Sequence, residues 1–90
     1  MANRTLAKGA EAACPTTTGT ASTFGNATVV RLVNNSGTAR LVTVVEEQDG
    51  TVVGSFTLPG NTVEYLEKDP TYAIFAANAA VLCAKVGFTN

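Results

Sequence analysis

The sequence predicts an all-β protein, a small antiparallel β-sandwich or barrel of about six strands with an extended amino-terminal arm. Three observations favour this class. From residue 27 onwards, runs rich in valine, threonine and leucine alternate between two faces, as on a pleated strand. Turn residues separate these runs roughly every eight to twelve residues, the spacing typical of sandwiches and barrels. Apolar residues at helical spacing are almost lacking after residue 26.

The composition limits the size of the core. The 90 residues are enough for one domain, and short chains bury a smaller share of their surface than long ones. Hydrophobic residues make up 46% of the chain but are mostly alanine and valine, with four Phe, two Tyr and no Trp. We therefore expect a thin core and a marginally stable domain that gains from docking on a partner or on further copies of itself.

Residues 1–26 form the predicted arm, flexible or extended, and differ in composition from the rest. They hold mainly Ala, Thr, Gly and Ser, and Leu6 and Phe24 are their prominent apolar side chains. Asn3 is a candidate cap for a short helix over Arg4–Ala13, which a glycine would interrupt. Two interpretations stay open: a disordered tail, or an arm that orders against a neighbouring subunit with Leu6 and Phe24 as anchors.

The sandwich domain is predicted to span residues 27–90, and turn chemistry divides it. Asn34-Asn35-Ser36-Gly37 is suited to a β-hairpin between the first two strands, and Asp49-Gly50 to a second hairpin. Pro59-Gly60 predicts a type II turn with a positive φ at the glycine. The predicted strands are Ala27–Val33, Thr38–Glu46, Thr51–Leu58, Thr62–Lys68, Thr71–Ala76 and Ala80–Phe88.

Alternation within the strands predicts which side chains face the core. In the second strand, the face that carries Ala39, Leu41, Thr43 and Val45 is predicted to be the more consistently buried one. In the third strand Phe56 and Leu58 should point inward, and Gly54 indicates either a β-bulge or a close approach of another backbone.

Catalytic chemistry finds little support in the composition. The chain has no histidine, so a Ser-His or Cys-His nucleophile cannot form. Glu46, Glu47 and Asp49 cluster at one turn, where a solvated hairpin end is favoured over a calcium site or paired catalytic carboxylates. We therefore predict that the protein is not an enzyme, with no catalytic residue, no metal and no cofactor.

The two cysteines lie in unlike surroundings. Cys14 belongs to the arm, and Cys83 alternates with Lys85 on the less apolar face of the last strand. Without histidine they do not make a familiar zinc site. Reduced thiols are the favoured state in a reducing cytoplasm, and an intramolecular or intersubunit disulfide is the alternative.

Charge and hydropathy argue against two classes of partner. Six basic and seven acidic residues give a formal net charge of −1, which provides no long-range attraction for nucleic acid or anionic membranes. Apolar runs fall short of the roughly 20 residues that cross a bilayer. The first residues lack the apolar core of a secretory signal. We therefore expect no nucleic-acid partner, no membrane association, and a protein of the cytoplasm or of a particle assembled there.

Tyr65 and Tyr72 are the candidate surface-binding residues. Their rings suit stacking on a ligand, although packing in the core is the more common role of such side chains.

From Ala27 to the end, covering about two thirds of the chain, the layout resembles small β-sandwich virion proteins of tailed bacteriophages, in particular those of cyanophages. The segments that carry the resemblance are Val29–Asn35, Gly54–Asn61, Glu67–Thr71 and Ala80–Phe88.

This resemblance implies a structural role on the virion. It implies a capsid decoration (cement) protein that docks on the capsid lattice and reinforces it by bridging subunits. The expected partner is the major capsid protein. The chain would be present as a homo-oligomer or in many copies on the capsid surface, after assembly in the host cytoplasm. Two alternatives stay open: a neck or tail component, or a carbohydrate- or host-surface-binding module that uses Tyr65, Tyr72 and the acidic turns.

Overall fold

The computed structural model describes residues 4–89 and folds them into two antiparallel β-sheets that pack face to face. The predicted all-β class is confirmed, and of the two architectures expected the structure has the sandwich. One 3₁₀ turn, Thr18–Thr20, lies in the arm. The strands are β1 Arg4–Ala7, β2 Ala12–Ala13, β3 Val29–Asn34, β4 Arg40–Val45, β5 Val52–Leu58, β6 Val63–Glu67, β7 Ala73–Ala76 and β8 Val81–Thr89.

The two sheets differ in size. In the larger sheet, β1 and β2 lie one after the other along one edge of β8, β3 lies along its other edge, and β6 follows β3. In the smaller sheet, β4 lies between β5 and β7. Along the chain from β3 to β8, one pair of consecutive strands, β4 and β5, is also hydrogen-bonded to each other. The other connections in this region therefore cross from one sheet to the other.

The hairpin predicted at Asn34-Asn35-Ser36-Gly37 is wrong, because β3 pairs with β6 and β8 and not with β4. The side chain of Asn34 is fully buried and explains the crossing. Its Nδ2 donates hydrogen bonds to the carbonyl oxygens of Thr38 at 2.8 Å and Leu58 at 3.0 Å. Its Oδ1 accepts from the hydroxyl of Ser36 at 2.8 Å. These bonds turn the chain out of the larger sheet and into the smaller one.

The hairpin predicted at Asp49-Gly50 is confirmed. β4 and β5 pair in antiparallel fashion, and Asp49 has the positive φ of 57° that such a turn demands. The register shifts between Val44, which is opposite Gly54, and Val45, which is opposite Val52. The unpaired residue is Val53, so a bulge is present directly beside Gly54. The alternative, a close approach of another backbone, is not observed, because a Cβ at Gly54 would have no atom within 4 Å.

The turn predicted at Pro59-Gly60 is present, but its type is not the one predicted. The positive φ, 57°, belongs to Asn61 and not to Gly60. Gly60 is needed for a different reason: a Cβ at that position would lie 2.6 Å from the carbonyl carbon of Gly37. The two turns at this end of the sandwich thus pack backbone against backbone.

The core between the sheets comes from alternate residues of the central strands. The face predicted as buried in β4 is only partly right: Leu41 is 47% exposed, whereas Thr43 and Val45 are buried. The main core instead takes Val42 and Val44. Fully or almost fully buried apolar side chains of this core include Val30, Leu32, Val42, Leu58, Ile74, Val81 and Cys83.

The predicted exposed face of the last strand is also wrong. Cys83 is fully buried between the sheets, and Ala84 and Val86, which point the other way, are buried as well. The reason is that β8 has neighbours along both of its edges and is the central strand of the larger sheet.

The arm packs on its own domain. β1 and β2 are strands where the sequence indicated a short helix, because both pair with β8. The chain then crosses to the smaller sheet, where the amide of Ala76 donates to the carbonyl of Pro15 at 2.8 Å. Ser22 forms a bridge with Ile74 of β7. The arm therefore covers the side of the sandwich where β7 and β8 lie.

We predict that Asn34→Ala lowers the free energy of unfolding by about 3 kcal/mol, because it leaves buried carbonyls of two inter-sheet connections without their donor. Urea unfolding followed by circular dichroism measures this change. Asn35→Ala, at the exposed neighbouring position, is the matched control and should change stability by no more than about 0.5 kcal/mol. Equal effects of the two substitutions would contradict the role given to Asn34.

Candidate functional site

The two sides of the sandwich are closed to different degrees. The arm covers the side of β7 and β8, whereas β5 and β6 are the outer strands of their sheets on the opposite side. Within residues 4–89, no strand pairs with the outer edge of either. Outer strands leave a row of backbone N–H and C=O groups without a sheet partner, which is a template for pairing with another chain.

A cleft of about 630 Å³ opens between these two edges. We call it the β5–β6 groove. Its apolar lining includes Val44 and Phe56 from the smaller sheet, and Leu66 and Tyr72 from β6 and the loop after it. Phe56 and Leu66 also line an adjoining hollow of about 400 Å³, which Thr57, Glu64 and Tyr65 complete. The groove therefore follows the open side of the sandwich.

The two rims of the groove have different chemistry. Residues 51–58, which include β5, contain no charged side chain, and Val52 and Val53 are 59% and 50% exposed. β6 carries two exposed carboxylates, Glu64 and Glu67. Native edge strands are usually protected by charges, proline or a β-bulge. β5 has no charge and no proline between its first and last residues, and its bulge lies near its start, so the stretch from Gly54 to Leu58 stays in regular register with β4. The neutral rim is the one best suited to accept another strand.

Lys68 fixes one end of the groove. Its side chain is buried, and its Nζ donates hydrogen bonds to the carbonyl oxygens of Ala27 at 2.7 Å and Thr23 at 3.1 Å. Burial lowers the pKa of the Lys68 ammonium, and the neighbouring carboxylate of Asp69 partly opposes this effect. Because these bonds tie the end of the arm to the end of β6, Lys68 has a structural role at this site.

The two candidate tyrosines lie apart, Tyr65 on β6 of the larger sheet and Tyr72 in the loop between β6 and β7. Leu66 points inward, opposite the buried Val30, so the preceding Tyr65 points outward, opposite Arg31. Tyr65 is 40% exposed, and its hydroxyl lies 3.4 Å from that of Thr5, with which it shares a hydrogen bond. Tyr72 instead lines the groove and packs against the core. They do not form one stacking platform.

The pKa values of these tyrosines are shifted in opposite directions. Hydrogen bonds with Thr5 and with Arg31 lower the pKa of Tyr65 from 10.0. The negative charge of Asp69, followed by weaker contributions that include desolvation and Glu46, raises the pKa of Tyr72 from 10.0.

The predicted arm anchors are both outside the groove. Leu6 lies on β1 and is 46% exposed. Phe24 is half-buried and packs against the core of its own domain. The sequence did not single out Val53, Phe56 or Leu66 as binding residues. The uncharged run over residues 51–58 was the available signal, but it indicates a site only once β5 is known to be an edge strand.

Other kinds of site find no geometric support in residues 4–89. No group of three or more His, Cys, Asp or Glu side chains is placed to hold a metal ion there. Glu46, Glu47 and Asp49 are exposed at the end of the β4–β5 hairpin. The same part of the chain includes no helix of a length and hydropathy that would span a membrane.

No protein-family model, curated protein sequence or solved structure matches the chain. The β5–β6 groove and its two rims are therefore the basis of the proposed function.

We predict that Tyr65 ionises at lower pH than Tyr72 when tyrosinate is followed by ultraviolet absorbance during titration with base. The neighbours of Tyr65 favour its ionised form, whereas the negative charge of Asp69 opposes ionisation of Tyr72. The chain has two Tyr and no Trp, so Tyr72→Phe reports Tyr65 alone and Tyr65→Phe reports Tyr72 alone. Equal midpoints in the two variants, or the reverse order, would contradict the arrangement.

Proposed function

We propose that this protein is a virion structural protein, a capsid decoration (cement) protein that docks on the capsid lattice and reinforces it by bridging subunits. The observation that carries the proposal is the neutral outer edge of β5 beside the apolar β5–β6 groove. The resemblance of residues 27–90 to small phage virion proteins supports the choice of partner.

The edge and the groove together favour one mode of docking. An extended segment of the major capsid protein would add to the smaller sheet alongside β5, where backbone hydrogen bonds supply affinity. Alternate side chains of that segment would reach Phe56 and Leu66 in the groove, because residues on one face of a strand are two apart. On the opposite rim, Glu67 lines the groove and Glu64 lines the adjoining hollow, so their carboxylates favour basic side chains in the partner at two separate positions.

Because the core is thin, docking is also expected to increase the stability of the protein itself. A partner that binds only the folded protein stabilises it by mass action, so the sandwich gains stability when it sits on the particle. The capsid lattice is stabilised in turn wherever one copy of the protein contacts two capsid subunits. Many copies bound to the repeating lattice would therefore stabilise both the sandwich and the capsid.

We predict that the chain co-purifies with virions at a copy number of the same order as that of the major capsid protein. Quantitative mass spectrometry of gradient-purified particles measures this ratio. A handful of copies per particle would overturn the lattice-wide role and place the protein in the neck or tail. Its absence from the particles would overturn the virion proposal altogether.

We also predict that a lysine at the β5 edge prevents docking. Ser55→Lys, and separately Val53→Lys, places a charge on the strand that would pair with the capsid, and should reduce particle-bound protein at least tenfold. Co-sedimentation with particles that lack this chain measures the bound fraction.

Leu41→Lys is the matched control, because Leu41 is also exposed on the smaller sheet but lies on the central strand β4. This variant should bind as the wild type does. Undiminished binding of both edge variants would show that β5 is not the docking edge.

A further inference from the structure

We propose that Cys14 and Cys83 are a disulfide-forming pair whose oxidation fastens the arm to the central strand of the larger sheet. Both thiols are free in the structure and both are buried in the same core cluster. Neither contributes to the β5–β6 groove. The pair is therefore independent of the proposed docking function.

The register of β2 and β8 brings the two cysteines together. Ala12 lies directly opposite Cys83, and the amide of Cys14 donates to the carbonyl oxygen of Val81 at 2.8 Å. Cys14 is thus two residues beyond the partner of Cys83, on the same side of the sheet, which makes the two cysteines diagonal neighbours. Diagonal neighbours are within reach of each other's side chains. The proximity of Cys14 also raises the pKa of the Cys83 thiol.

Bridging the pair needs only a small movement of the arm. Diagonal positions are about 7–8 Å apart at Cα, slightly beyond the usual span of a disulfide, about 4.4–6.8 Å. β2 has only two residues and lies at the sheet edge, and its side chains are exposed. Because the arm and β8 are already hydrogen-bonded at 2.8 Å, closing the gap requires the arm to slide along β8, which breaks the bond from the amide of Cys14 to the carbonyl oxygen of Val81. The pairing of β3 with the other edge of β8 is not involved in this movement.

The surroundings of the pair keep it reduced while the arm is docked. The interaction with the side chain of Cys14, followed by burial, raises the pKa of the Cys83 thiol well above its ordinary value. Because the thiolate is the reactive form, Cys83 reacts slowly while the arm is docked. Local opening of the edge strand exposes both sulfurs, and edge elements of this kind open more readily than the core.

The oxidant we propose is a low-molecular-weight disulfide. The thiolate of one cysteine attacks a sulfur of this reagent, which forms a mixed disulfide and releases one small thiolate. The second cysteine, after losing its proton, attacks the protein sulfur of the mixed disulfide and displaces the second small thiolate. Two protein thiols thus lose two protons and two electrons, and one small disulfide is reduced to two thiols.

The bridge would close a loop of about 70 residues, from the arm to β8. A cross-link over so long a loop restricts the unfolded chain strongly, which stabilises the folded state. It would also hold the arm permanently over the side of β7 and β8. Closure is favoured in an oxidising medium and opposed in a reducing cytoplasm.

The test compares the purified full-length protein after equilibration with oxidised or with reduced glutathione. In the oxidised sample we expect a monomer without titratable thiols, and a covalent link between the tryptic peptides 9–31 and 69–85 in mass spectrometry. We expect its Tm to exceed that of the reduced sample by about 10 °C or more. Cys14→Ala and Cys83→Ala are controls, and neither should show a redox-dependent Tm.

Three results would overturn the proposal: two thiols that stay titratable after oxidation, a disulfide found only between chains, or a bridged monomer that is no more stable than the reduced protein. Because Cys14 and Cys83 are both buried in the core, each alanine variant is first checked for a cooperative thermal transition, and Cys14→Ser and Cys83→Ser, which are closer to cysteine in size, are added as further single-cysteine controls. Each measurement uses the isolated protein, so its outcome does not depend on binding to a particle.

Discussion

The side chain of Asn34 holds together both crossings between the sheets at one end of the sandwich. Its amide nitrogen reaches the chain just before β4 begins, at Thr38, and the chain where β5 ends, at Leu58. Its backbone N–H and C=O bond to Thr62 and Asn61, just before β6. A buried amide is costly unless its hydrogen bonds are made, so this arrangement strongly disfavours other paths of the chain at this end. The division of the strands between two sheets depends on it.

This division of the strands gives each sheet two edges, and the arm covers only one edge of each sheet. On one side the arm supplies hydrogen bonds to β8 and then to β7, and thereby covers both strands. On the other side β5 and β6 have no such cover in the described part of the chain. The arm also meets the end of the β4–β5 hairpin, where the amide of Asp49 donates to the carbonyl of Thr18. It is therefore an integral part of the sandwich, and the open side is the one suited to a partner.

The all-β class and the positions of the turns could be predicted from the sequence, whereas the pairing of the strands, apart from that of β4 with β5, could not. Asp49-Gly50 is typical of a tight β-hairpin turn, and in the structure it joins the paired strands β4 and β5. Asn34 to Gly37 has the same turn chemistry whether the following strand returns to the same sheet or crosses to the other, so the residues alone did not distinguish the two. The arm formed strands because β8 is available to pair with it, which no local pattern indicates. The groove was missed for the same reason, since its existence depends on which strands are outermost.

The central position of β8 has a consequence for how the protein is made. β8 is synthesised after the seven other strands, and yet β1, β2 and β3 all pair with it. During translation, β4 and β5 can form their hairpin as soon as they leave the ribosome, but the larger sheet lacks its central strand until the end of β8 has emerged. Pairings between distant parts of a chain are slow to form because a long loop must first be closed. The nascent arm therefore stays unpaired, and β3 has only β6 available to it, until β8 emerges. The larger sheet is completed in a late step.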